Sequence, residues 1–159
     1  MLFRSLLSSG AYYKVKGGIP ARIALGIIKL GYERYIREHN IDIGFSKAYA
    51  AANPARVQEL VDVLNKALPS VETYFQHVAA RQLHDTAARL KDIRVPCLVT
   101  VGEDEGHGLS DTTHRESARV LSSEIPGAKF ATLKDAGHFY MFSHPRELNR
   151  LIRDFLVGS

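Results

Sequence analysis

The sequence predicts an α/β fold: a short parallel sheet with flanking helices, joined to a mainly helical region. Three observations carry this. Residues 95–101 (VPCLVTV) form a continuous apolar run closed by Gly102, the pattern of a strand buried on both faces. Residues 127–133 form a second, shorter run, and the stretch between them has helical spacing. Residues 20–90, by contrast, repeat their apolar positions at helical intervals and contain no clear strand.

Taken in order, Leu2, Phe3, Leu6 and Leu7 read as a buried strand ending in the turn Ser8-Ser9-Gly10. Residues 12–18 read as loop, with Gly17-Gly18 as punctuation. Pro20 suits the first turn of a helix. Ile19, Ile23, Ile27 and Leu30 give that helix an apolar stripe, which Tyr35 and Ile36 extend and Asn40 would stop. Residues 41–52 are ambiguous, because the alanines favour helix and Gly44 opposes it. Asn53-Pro54 places an N-cap and a first-turn proline before a face of Val57, Leu60, Val61, Leu64 and Leu68. Pro69-Ser70 breaks that pattern, and Val71, Phe75, Val78 and Ala79 begin another face. A short helical turn carries Leu90. After the strand at 95–101, residues 111–124 offer Ala118, Val120 and Leu121 for burial. After the strand at 127–133, Ser143 or His144 caps a final helix starting at Pro145, with Leu148, Leu151, Ile152 and Phe155 on its buried face. Strand, helix, strand, helix at this spacing predicts a right-handed βαβ unit with a covering helix.

Bulk properties narrow the functional classes. The chain has 159 residues, 45% hydrophobic and 24% charged, enough for one domain with a real core. Its net charge of +4 comes from scattered rather than clustered bases, so no nucleic-acid partner is expected. No apolar run approaches the roughly 18 residues of a membrane span, and the opening MLFRSLLSSGAYY is too broken by Arg4 and Ser5 for a signal peptide. Cys97, the single cysteine, lies in a strand interior and reads as a small core residue, which fits a reducing, cytoplasmic setting. His77 and His84 are seven apart, as are His107 and His114, but none belongs to a tight ligand cluster, so no metal is expected. The lack of G-x-G-x-x-G and of a Walker loop argues against a nucleotide cofactor; none of any kind is expected.

Each predicted strand of the last third runs into a turn bearing titratable groups. Glu103, Asp104 and Glu105 follow the first, and His138 follows the second. An acid and a histidine on consecutive strands are two of the three parts of a nucleophile–base–acid relay.

The segments DTAARLKDIRVPCLVTVGEDE, SSEIPGAKF, LKDAGH and HPRELNRLIRDFL resemble the C-terminal portion of an α/β-hydrolase-fold enzyme. LFRSLLSSGAYY resembles the preceding sheet strand, and the helical middle resembles the cap of that family. The resemblance implies a partial α/β-hydrolase fold: strand and turn at 1–12, a cap-like region at 13–92, and a βαβα core portion at 93–159. By the same resemblance His138 is the base, with Gly137 allowing the tight turn that exposes it. The acid is Glu105, which stands three residues after Gly102, or its neighbour Asp104, ahead of Asp111.

The G-x-S-x-G nucleophile motif of the family is missing. Gly44-Phe45-Ser46-Lys47-Ala48 imitates it, but EHNIDI before it is too short and polar for a buried central strand, and Ala48 replaces the last glycine. Ser8 and Ser9 lack the preceding glycine and the following helix. The expectation is therefore a chain that begins after the elbow and is inactive alone: part of a serine hydrolase for a small ester, thioester, lactone or related substrate. An apolar acyl or aromatic substrate suits the aromatic-rich cap, where Tyr32, Tyr35, Tyr49, Phe45 and Phe75 stand. An unpaired sheet edge predicts self-association or a partner chain. The alternative is a non-catalytic chain that binds a small molecule or protein partner.

Overall fold

The computed structural model describes residues 4–7, by their backbone, and residues 20–104 and 114–158. Three parallel strands, β1 (Arg4–Leu7), β2 (Cys97–Gly102) and β3 (Lys129–Leu133), form a sheet in the order β1-β2-β3. Arg4 pairs with Cys97 and Leu7 with Thr100, while Leu98 pairs with Lys129 and Gly102 with Leu133. β2 is therefore the inner strand and is buried along its whole length. β3 is an edge strand, with Lys129 and Phe130 exposed.

Side chains alternate across a strand, so the two faces of β2 meet different layers. Cys97, Val99 and Val101 pack against Ala118 and Leu121 of α6 (His114–Glu124), with Leu90 from a 3-10 turn over Ala87–Asp92. Cys97 is indeed core, its thiol donating to the Val95 carbonyl at 3.3 Å. On the other face Thr100 meets Tyr140, which belongs to the short helix α7 (Tyr140–Ser143). The Tyr140 hydroxyl lies 3.0 Å from Thr100 Oγ1 and donates to the Thr100 carbonyl at 3.1 Å, so both buried polar side chains are satisfied. α8 (Pro145–Val157) then covers Leu133 and Ala136 with Leu148, as its apolar spacing predicts.

The helical middle holds α1 (Ala21–Leu30), α2 (Tyr32–Gly44), α3 (Lys47–Ala52), α4 (Pro54–Lys66) and α5 (Val71–Gln82). Two sequence expectations need correction here. The stripe from Ile23 to Ile36 is not one helix, because Gly31 takes φ +79° and ends α1. Nor does Asn40 stop it, since α2 runs on to Gly44. Pro20 sits just before α1, its carbonyl accepting from Ile23 and Ala24. Asn53 does hold the N-cap position of α4, yet its side chain donates backward to the Tyr49 carbonyl. The loop expected at 12–18 lies outside the described residues.

Candidate active site

The site is built from three backbone segments locked together. At the end of β2, the Glu103 amide donates to the Leu133 carbonyl at 2.9 Å and the Asp104 amide to the Ala136 carbonyl at 3.0 Å. Gly102 lies directly against the backbone of Ala136 and Gly137, where any Cβ would collide with the Ala136 carbonyl. On the far side, the His138 amide donates to Ile43 O and the Phe139 amide to Gly44 O, both at 2.8 Å. These bonds satisfy carbonyls that the end of α2 would otherwise leave open. A Cβ on Gly137 would lie 2.6 Å from the Phe45 nitrogen. Gly137 is thus needed for space rather than for a left-handed φ. In this turn it is Asp135, at φ 53°, that takes that conformation.

His138 is half-buried between these clamps. Its ring stacks on His114, with centroids 4.3 Å apart and planes at 17°, and lies tilted against Phe139, with centroids 5.7 Å apart. His114 opens α6 and is nearly buried. Both imidazoles line a cavity of about 220 Å³ together with Tyr32, His39, Tyr74 and Arg81. Burial, and next to it the Arg22 guanidinium, hold the His39 imidazole below its ordinary value; Asp42 opposes them, while Arg81 and His138 add to the lowering. Burial likewise raises the Tyr32 and Tyr74 phenols, which stay protonated.

Asp104 is exposed at the turn that the Ala136 carbonyl anchors, whereas Glu105 and Asp111 lie outside the described residues. Ser8 and Ser9 lie outside them as well. Ser46 is 1% exposed and its Oγ accepts from the Tyr49 amide at 3.0 Å, capping α3. It follows a helix and an extended Phe45 rather than a strand, so it lacks the elbow geometry of a nucleophile. Gly44 and Phe45 have another use: they form the ledge on which the histidine turn rests.

A profile of the alpha/beta hydrolase family matches residues 8–151. The chain belongs to this family. Its fold is shared by an enol-lactonase from Burkholderia xenovorans, at TM-score 0.73 and 23% identity, covering 96% of this chain and 55% of that one. Est816, an N-acyl homoserine lactone degrading enzyme, aligns at TM-score 0.70 and 24% identity, covering 95% and 56%. A thermophilic esterase from Thermogutta terrifontis aligns at TM-score 0.66 and 21% identity, covering 97% and 55%. Identities at this level speak for the fold, and the chain spans little more than half the length of these structures. No curated protein matches the chain in sequence.

Sequence reasoning missed His39, Tyr74, Arg81 and His114 as neighbours of His138. They come from three separate helices, and no local spacing announces that they converge. Among the described residues there is no group of three potential metal ligands, and no helix is long and apolar enough to cross a membrane.

Proposed function

We propose that this chain supplies the cap and the base-bearing part of a serine hydrolase acting on a small ester, thioester or lactone. The reading is carried by one observation: the His138 turn is fixed between the acid turn of β2 and the end of α2, with its imidazole on the cavity. A base held by main-chain bonds on both sides keeps its position through the reaction without reorganising.

In this reading the nucleophilic serine comes from polypeptide outside these 159 residues. Support comes from the lack of G-x-S-x-G in the sequence and from Ser46 being committed to a helix cap. His138 accepts the serine proton as Oγ bonds to the substrate carbonyl carbon. It returns that proton to the leaving alkoxide or thiolate as the carbonyl–heteroatom bond breaks. Water then attacks the acyl-enzyme by the same proton path and regenerates the serine. Asp104 or Glu105 holds the imidazole tautomer and steadies the imidazolium.

The test is hydrolysis of p-nitrophenyl butyrate by the 159-residue chain and by a longer polypeptide carrying an upstream strand and elbow serine. We expect turnover from the longer protein only, with His138→Ala lowering kcat by about 10⁶-fold. Turnover by the short chain that disappears in Ser46→Ala would overturn the reading.

A further inference from the structure

The cavity beside His138 carries polar groups that ester hydrolysis does not require. The hydroxyls of Tyr32 and Tyr74 are buried and have no hydrogen-bond partner among the described residues, and their rings lie 5.6 Å apart on the same wall. Buried polar groups are satisfied as a rule, so two orphaned neighbours call for a partner from outside. Both phenols stay protonated, so each keeps an O–H to donate. Arg81 and His39 line the same space. Among the described residues that line the cavity none is a carboxylate, and its remaining walls include Ile36, Ile43, Leu68 and Phe139. The lining therefore donates hydrogen bonds and positive charge at one place and offers hydrocarbon elsewhere.

We propose that the cavity takes a substrate bearing a carboxylate, which Arg81 and the hydroxyls of Tyr32 and Tyr74 hold while the scissile carbonyl lies toward His138. A carboxylate accepts hydrogen bonds only and matches the planar guanidinium fork. Its single charge on a short carbon chain fits apolar walls better than a doubly charged phosphate monoester, whose desolvation is costlier. The orientation toward His138 rests on the hydrolase reading above; the recognition of the carboxylate does not.

Binding can be read without turnover, by isothermal titration calorimetry on the 159-residue chain at neutral pH. The ligands are monomethyl succinate, its neutral counterpart dimethyl succinate, and methyl phosphate. Monomethyl succinate is expected to bind at least about tenfold more tightly than the diester. Arg81→Gln should abolish that preference, and Tyr74→Phe, which keeps the ring and its packing, should reduce it by about threefold. Equal binding of acid and diester, no binding of either, or a preference untouched by Tyr74→Phe would overturn the proposal. So would methyl phosphate binding as tightly as the monoacid. Failure of ester hydrolysis in the longer polypeptide would leave this selectivity intact, so the two readings fail separately.

Discussion

Tyr140 and Thr100 show how much one buried polar pair decides. The phenol reaches across from α7 and bonds both the hydroxyl and the carbonyl of a residue in the middle of β2. Tyr140→Phe leaves Thr100 without these partners inside the core, and an unsatisfied buried group costs about 1–3 kcal/mol. Urea titration should show a lower midpoint by that amount with an unchanged slope. His39 gives a second prediction, in pH. Its imidazole sits below the ordinary 6.5, first through burial and then through Arg22, with Arg81 and His138 adding and Asp42 opposing. A histidine depressed in the folded state binds fewer protons there than in the unfolded chain. Stability should therefore fall as pH drops below about 6.5 and level off once the folded-state value has been passed. His39→Gln should flatten that acid limb between neutral pH and pH 5, as thermal melts would record. An unchanged limb would assign the acid sensitivity to other groups.

At the level of elements, the joint between the β2 turn and the histidine turn is the tightest in the molecule's candidate site. Gly102 has no room for a side chain because the Ala136–Gly137 backbone occupies the space, and backbone cannot swing aside as a flexible side chain would. Gly102→Ala should destabilise the fold by about 1–3 kcal/mol, or more if the strand end cannot shift. It should also move the His138 ring off His114, which the imidazole proton shifts of the two residues would register. This joint was half legible in the sequence. β2, α6, β3 and α8 follow from apolar runs and helical spacing, and the acid and histidine turns follow from where those runs end. The third side of the clamp was not legible. Gly44-Phe45-Ser46 resembles a nucleophile elbow locally, yet Gly44 receives the Phe139 amide and Ser46 caps α3. A pentapeptide pattern records local chemistry, whereas the strand that would make it an elbow must be found in the surroundings. The apolar stripe across α1 and α2 misled for the opposite reason. Its spacing survives a break at Gly31 because two helices packed on one core can keep apolar residues facing the same way.

The whole molecule raises the question of what lies beside β1. β2 is flanked on both sides and buried throughout, but among the described residues β1 pairs with β2 alone. A parallel strand with an open side presents main-chain donors and acceptors to any other chain. Parallel sheets are covered as a rule, because their strands are apolar on both faces. The solved relatives of this fold are nearly twice as long as the stretch matched here. If the edge is the open side of β1, the 159-residue chain should associate as its concentration rises. Sedimentation velocity from about 5 to 500 µM should then show a weight-average mass climbing above 17.7 kDa, with micromolar or weaker affinity for so small an edge. A longer polypeptide carrying a further strand beside β1 should sediment as a monomer over the same range, because that strand would occupy the edge. A short chain that stays monomeric throughout would mean that β1 is already covered, and the serine would then have to reach His138 by another route than the neighbouring strand.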